Sequence, residues 1–187
     1  MARLALLGGK PVRTKPFPEW PQHDPEDEEA ILQVVRSGKW WMYAYGTEEL
    51  VTAEGEAAKS RVEQFEEAFA KAQHVRHAFA VTSGTAALEI SCRALGIGPG
   101  DEVITTPYTF VSTSSCVLNS YGLPVYVDIE PDTYNIDPDL IEDAITKHTK
   151  AIIPVHFGGA IADMDKIRVI ADRHGLKVIE DAAQAHG

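Results

Sequence analysis

From His77 to the end of the chain, short apolar runs alternate with amphipathic stretches. The runs occupy residues 78–81, 102–105, 125–129, 151–155 and 177–179, the length expected of strands buried on both faces. Residues 85–95, 109–121, 138–146 and 164–174 show helical spacing between them, with Asp137 placed as an N-cap. Five strands separated by helices predict right-handed crossovers and an α/β fold, a three-layer, mostly parallel sheet with helices on both faces.

Upstream of this region the pattern is different. Asp24 and Pro25 precede four acidic residues and then Ile31, Val34 and Val35 at helical spacing, which predicts a capped amphipathic helix ending at Ser37-Gly38. Residues 39–54 are aromatic and glycine-containing without a period and read as a loop, whereas residues 56–73 place Val62, Phe65 and Phe69 on one helical face. Residues 1–23 contain Pro11, Pro16, Pro18 and Pro21 around Phe17 and Trp20, and so predict an extended arm whose aromatics need a surface to lie on.

Composition narrows the function classes. The 187 residues are 44% hydrophobic and 24% charged, enough for a real core, and the net charge of −11 argues against a nucleic-acid surface, which needs clustered Lys and Arg. Cys92 and Cys116 have neither metal-motif spacing nor the density of a disulfide scaffold, so a reducing compartment is the simpler reading. The apolar start at Leu4–Leu7 is too short for a signal peptide and no run is long enough for a membrane span, which predicts a cytoplasmic chain with no membrane partner and no metal.

Ligands of such sheets bind beyond the carboxyl ends of the strands. The first strand end reads Thr82-Ser83-Gly84-Thr85, where free N–H groups at a helix N-terminus form an anion cup, or where Ser83 is only a cap. The second reads Thr106-Pro107-Tyr108-Thr109-Phe110, which offers a ring for stacking or a core side chain. At the third, Asp181 with Gln184 provides either a carboxylate for a heteroaromatic nitrogen or an N-cap for a following helix. A phosphate cup, a stacking ring and a carboxylate for a ring nitrogen together describe a pyridoxal 5'-phosphate site.

These segments, with Val127-Asp128-Ile129, Tyr134-Asn135-Ile136-Asp137, Ile153-Pro154-Val155-His156-Phe157-Gly158 and the final Glu180-Asp181-Ala182-Ala183-Gln184-Ala185-His186-Gly187, resemble the DegT/DnrJ/EryC1/StrS family from about Pro18 onward. The resemblance implies the large domain of a fold type I, pyridoxal-phosphate-dependent aminotransferase that moves an amino group from glutamate or glutamine to a keto sugar or ketocyclitol, as a homodimer. Ser83, Gly84 and Thr85 would then bind the phosphate, Phe110 would stack on the pyridine ring, Asp181 would pair with its nitrogen and Gln184 would approach the phenolic oxygen. Trp40, Trp41, His156 and His186 are candidate substrate contacts.

The domain division expected is an arm over 1–23, a helical segment over 24–76 and the cofactor-binding α/β domain over 77–187. The Schiff-base lysine of the family lies beyond the Asp, and none of Lys147, Lys150, Lys166 or Lys177 sits in a matching motif, so no catalytic residue is assigned. The expectation is therefore an N-terminal part, inactive alone. The alternatives are a deoxysugar dehydratase on the same scaffold and a non-catalytic cofactor-binding or dimerising module.

Overall fold

The computed structural model describes residues 3–40 and 59–186. The chain forms two compact units, Met1–Phe79 and Ala80–Gly187. In the first, helix α1 spans Pro25–Ser37 and helix α2 spans Arg61–Ala72. Both begin with a capping box. Asp24 accepts from the N–H groups of Glu26 (2.8 Å) and Asp27 (3.2 Å) while Asp27 accepts from Asp24 N–H. Ser60 and Glu63 make the same exchange at 3.1 and 2.7 Å, and the Ser60 N–H holds the Glu63 carboxyl below its ordinary value. Gly38, at φ 68°, ends α1 in the left-handed conformation that suits glycine. The arm contains one 3₁₀ turn, Ala5–Leu7, and Trp20 is 91% exposed.

The second unit contains α3 (Gly84–Ala94), β1 (Glu102–Thr105), α4 (Ser112–Asn119), β2 (Leu123–Tyr126), α5 (Ile141–Ala144), β3 (Thr149–Ile152), α6 (Met164–His174) and β4 (Lys177–Val178). All pairings are parallel, in the order β2-β1-β3-β4. Consecutive residues point to opposite faces, as the pleat requires. Val103, Ala151, Ile153 and Ile179 pack with Leu88 and Cys92 of α3 and Cys116 and Val117 of α4. Ile104, Val125, Ile152 and Val178 pack with Ile141 of α5 and Ile167 and Ala171 of α6. The sheet is thus covered on both faces, which is the expected three-layer α/β fold.

Several boundaries differ from the sequence expectation. Residues 78–81 are not in the sheet, and Phe79 is 81% exposed. An apolar run becomes a strand only when a neighbour supplies a ladder, and none of the four strands pairs with this one. β2 begins at Leu123 rather than Val125 because it is an edge strand, where Pro124 needs no donor, and it ends where its pairing with Thr105 ends. α4 begins at Ser112 rather than residue 109, since residues 106–111 form the turn out of β1. The predicted helix over 138–146 is a 3₁₀ turn, Pro138–Leu140, running into the short α5, with Asp137 accepting from Asp139 N–H at 2.9 Å. α6 has its predicted bounds, capped by Asp163 and by Gly175 at φ 67°.

The thiols of Cys92 and Cys116 lie 3.8 Å apart in the α3/α4 core, both fully buried and free. Their mutual hydrogen bond and burial push the Cys116 thiol up. A thiol reagent is expected to label neither cysteine in the native chain and both in denaturant; labelling of the native chain at the denatured rate would contradict this packing. Ile152→Ala, at the centre of the other core, should cost about 2–5 kcal/mol, read as a lower urea midpoint at unchanged slope.

Candidate functional site

Thr113, in the first turn of α4, connects the strand ends. Its N–H donates to the carbonyl of Phe110 (3.1 Å) and its hydroxyl donates to Asp181 Oδ2 (2.7 Å). The Thr113 oxygen also lies 2.8 Å from the Thr109 hydroxyl. Since the single Thr113 proton goes to the carboxylate, Thr109 must be the donor in that second bond. The residue that offers the ring and the residue that offers the carboxylate are therefore held by one side chain and its own backbone.

Asp181 is 7% exposed and follows β4. Its N–H donates to Pro154 O (2.9 Å), and its carbonyl accepts from His156 N–H (3.1 Å), so β3 and β4 continue as a single bridge at Val155 and Asp181. Its Oδ1 accepts from Ala183 N–H at 3.3 Å. Just after it, Ala185 N–H donates to Ala182 O and closes a turn. Phe110 is 68% exposed, which removes it from the core and leaves a ring face available.

At the start of α3, Ser83 Oγ accepts from Ala86 N–H (3.1 Å), while the N–H groups of Gly84 and Thr85 have no acceptor among the described residues. A Cβ built on Gly84 would meet nothing within 4 Å, so the helix start is open on that side. Free donors and the positive end of the helix dipole favour an anion there.

Three successive N–H groups beyond β3 gather the surrounding loops. His156 N–H goes to Asp181 O, Phe157 N–H to Asn135 Oδ1 (2.9 Å) and Gly158 N–H to Gln184 Oε1 (2.8 Å). With its oxygen so used, Gln184 has its Nε2 donor left to offer a ligand. The imidazole of His156 is buried: Nδ1 accepts from Ala162 N–H (3.3 Å), which leaves Nε2 to carry the proton to Glu180 Oε2 (3.1 Å). His186 is exposed, as is Trp40 in the first unit, and Trp41 lies outside the described residues. Lys150 and Lys177 sit at the amino ends of β3 and β4, and Lys166 bonds Asp139 at 3.0 Å, which raises its ammonium above the ordinary value.

Sequence reasoning missed Thr113, Asn135 and the ring cluster of Tyr108, Tyr134 and Phe157, whose centroids lie 4.7–6.0 Å apart. The four-residue spacing of Thr109 and Thr113 was the available signal for the first.

The model of the DegT/DnrJ/EryC1/StrS aminotransferase family matches residues 22–187. The chain belongs to this family. Its similarity to the L-glutamine:2-deoxy-scyllo-inosose aminotransferase of Streptomyces paromomycinus is 44% identity over 98% of the chain and 41% of that relative. The enzyme of the same description from Streptomyces kanamyceticus is 41% identical over 100% of the chain and 42% of its own length. The chain thus spans about two fifths of the curated relatives it matches. Among solved structures, 3-amino-5-hydroxybenzoic acid synthase superposes with TM-score 0.80 at 38% identity, over 91% of this chain and 41% of that one. NtdA of Bacillus subtilis, solved with bound cofactor PMP, superposes with TM-score 0.74 at 43% identity, over 88% and 35%. These likenesses extend the family assignment to the aminotransferase fold seen in the second unit.

His156→Ala should destabilise the chain by roughly 2–4 kcal/mol, since it opens a cavity and strands Ala162 N–H. Urea denaturation would measure it, and a variant as stable as the parent would contradict the buried, doubly bonded imidazole.

Proposed function

We propose that the second unit binds pyridoxal 5'-phosphate or its amine form, and that a protein containing this segment transfers an amino group from glutamine to a ketocyclitol or keto sugar. The observation that carries this reading is the buried Asp181 carboxylate, fixed at the carboxyl end of β4 and tied through Thr113 to the residue that bears the exposed Phe110 ring. The donor set suits the cofactor: Gly84 and Thr85 present N–H groups for its phosphate, and Gly84 leaves room where a side chain would stand.

Bound there, the cofactor supplies an electron sink and a carrier for the amino group. Asp181 would hold a proton on the pyridine nitrogen by opposing its charge in a crevice of low dielectric. Phe110 would cover a ring face and keep water from it. Gln184, whose Oε1 is committed to Gly158, would offer its Nε2–H to the phenolic oxygen. The descriptions of the Streptomyces relatives support glutamine as donor and a keto ring as acceptor. The exposed apolar arm, with Trp20 and Leu6 bare, supports a homodimer, and the adjacent free thiols suit a reducing, cytoplasmic setting.

Titration of the chain with pyridoxamine 5'-phosphate should give a saturable induced circular dichroism band that excess inorganic phosphate removes. Asp181→Asn should weaken this binding by at least roughly tenfold, the loss of a charge-assisted hydrogen bond worth about 1.5–3 kcal/mol. A titration without saturation, or one that Asp181→Asn leaves unmoved, overturns the reading.

A further inference from the structure

We propose that Thr113 is a positioning residue for the cofactor ring: its hydroxyl fixes one oxygen of Asp181 so that the carboxylate stays turned toward the pyridine nitrogen. The inference rests on the cofactor reading above and deepens it.

A hydroxyl inside a helix ordinarily bonds back to the carbonyl four residues earlier. Ser91 Oγ in α3 does so, donating to Ala87 O (2.8 Å), as does Ser120 Oγ at the C-cap of α4, to Cys116 O (2.9 Å). Thr113 does not. It sends its proton across 68 residues of sequence to Asp181 Oδ2 at 2.7 Å, and both side chains are buried. It is the only side-chain donor to that carboxylate among the described residues; the other donor, Ala183 N–H, reaches Oδ1 at 3.3 Å.

The consequence is a fixed rotation of the carboxylate: Oδ2 is tied to α4 by Thr113 and Oδ1 to the following turn by Ala183 N–H, and each oxygen keeps a lone pair for a ligand. Thr109, donating into the Thr113 oxygen, strengthens the proton that Thr113 gives to Asp181. The N–H of Thr113 meanwhile holds the Phe110 carbonyl, so the orientation of the carboxylate and the position of the stacking residue are set from one point on α4. Without the hydroxyl, a buried Oδ2 has no donor among the described residues, and the carboxylate meets that deficit by rotating, which takes it out of line with the ring nitrogen.

The test compares pyridoxamine 5'-phosphate with its analogue in which the ring nitrogen is replaced by CH, titrated into the parent chain, Thr113→Val and Thr113→Ser. The parent should prefer the nitrogen ring. Thr113→Val, nearly isosteric, should lose roughly tenfold or more of that preference while binding the CH analogue like the parent, the size expected for a hydrogen bond to a charged group. Thr113→Ser should restore the preference. Equal preference in the parent and Thr113→Val overturns the role of Thr113 while leaving the cofactor reading standing. Failure of the parent to bind either ligand overturns both. A variant-free check is the Thr113 hydroxyl proton in the NMR spectrum of the parent: slow exchange with water supports the bond, and fast exchange overturns it.

Discussion

A parallel sheet has two apolar faces, and it is stable only when its crossovers cover both. In this chain that constraint acts residue by residue. Val103 and Ile104 on β1, and Ile152 at the end of β3 with Ile153 just beyond it, turn to opposite cores, one roofed by α3 and α4 and the other by α5 and α6. With the faces closed, the carboxyl ends of the strands are where polar groups meet the interior, and Thr105, Thr106, His156 and Asp181 are all buried there. Thr105 and Asp181 are satisfied by bonds across to the β3 end, at Ile153 O and Pro154 O respectively. The location of the candidate site is thus set by the sandwich before any ligand is considered.

What was readable in the sequence is what local physics controls. Asp24 and Ser60 cap helices because a short oxygen side chain meets the N–H groups two or three residues on, and α6 lies between Asp163 and Gly175 for the same kind of reason. Ser83, Gly84 and Asp181 were legible as candidate site residues because each stands where an apolar run stops. Residues 78–81 show the limit. Their apolarity matched that of β1, but strand formation is decided by a partner elsewhere in the chain, and the pattern carries no record of one. Thr113 was hidden for a related reason: hydroxyl residues crowd the stretch from Ser112 to Ser115, and only the fold shows which of them reaches a carboxylate 68 residues away.

The Val155-His156-Phe157-Gly158 segment changes character most between the two views. A histidine beside the site suggests acid–base work by residue type, yet both nitrogens of His156 are engaged within the protein and its N–H is bonded to the Asp181 carbonyl. The next two N–H groups hold Asn135 and Gln184. These donors fix the turn that carries Asp181 and the loop that carries Tyr134, which sits at φ 61° with its ring against Tyr108 and Phe157. A non-glycine residue held in that conformation costs of order 1–3 kcal/mol and persists when its surroundings over-determine it. The Asn135 clamp next door, with its Nδ2 on Ala160 O at 3.0 Å, provides such surroundings. The backbone of this segment is therefore occupied in assembling the rim, and the side chains that project from it, rather than the main chain that builds it, are left to meet a ligand.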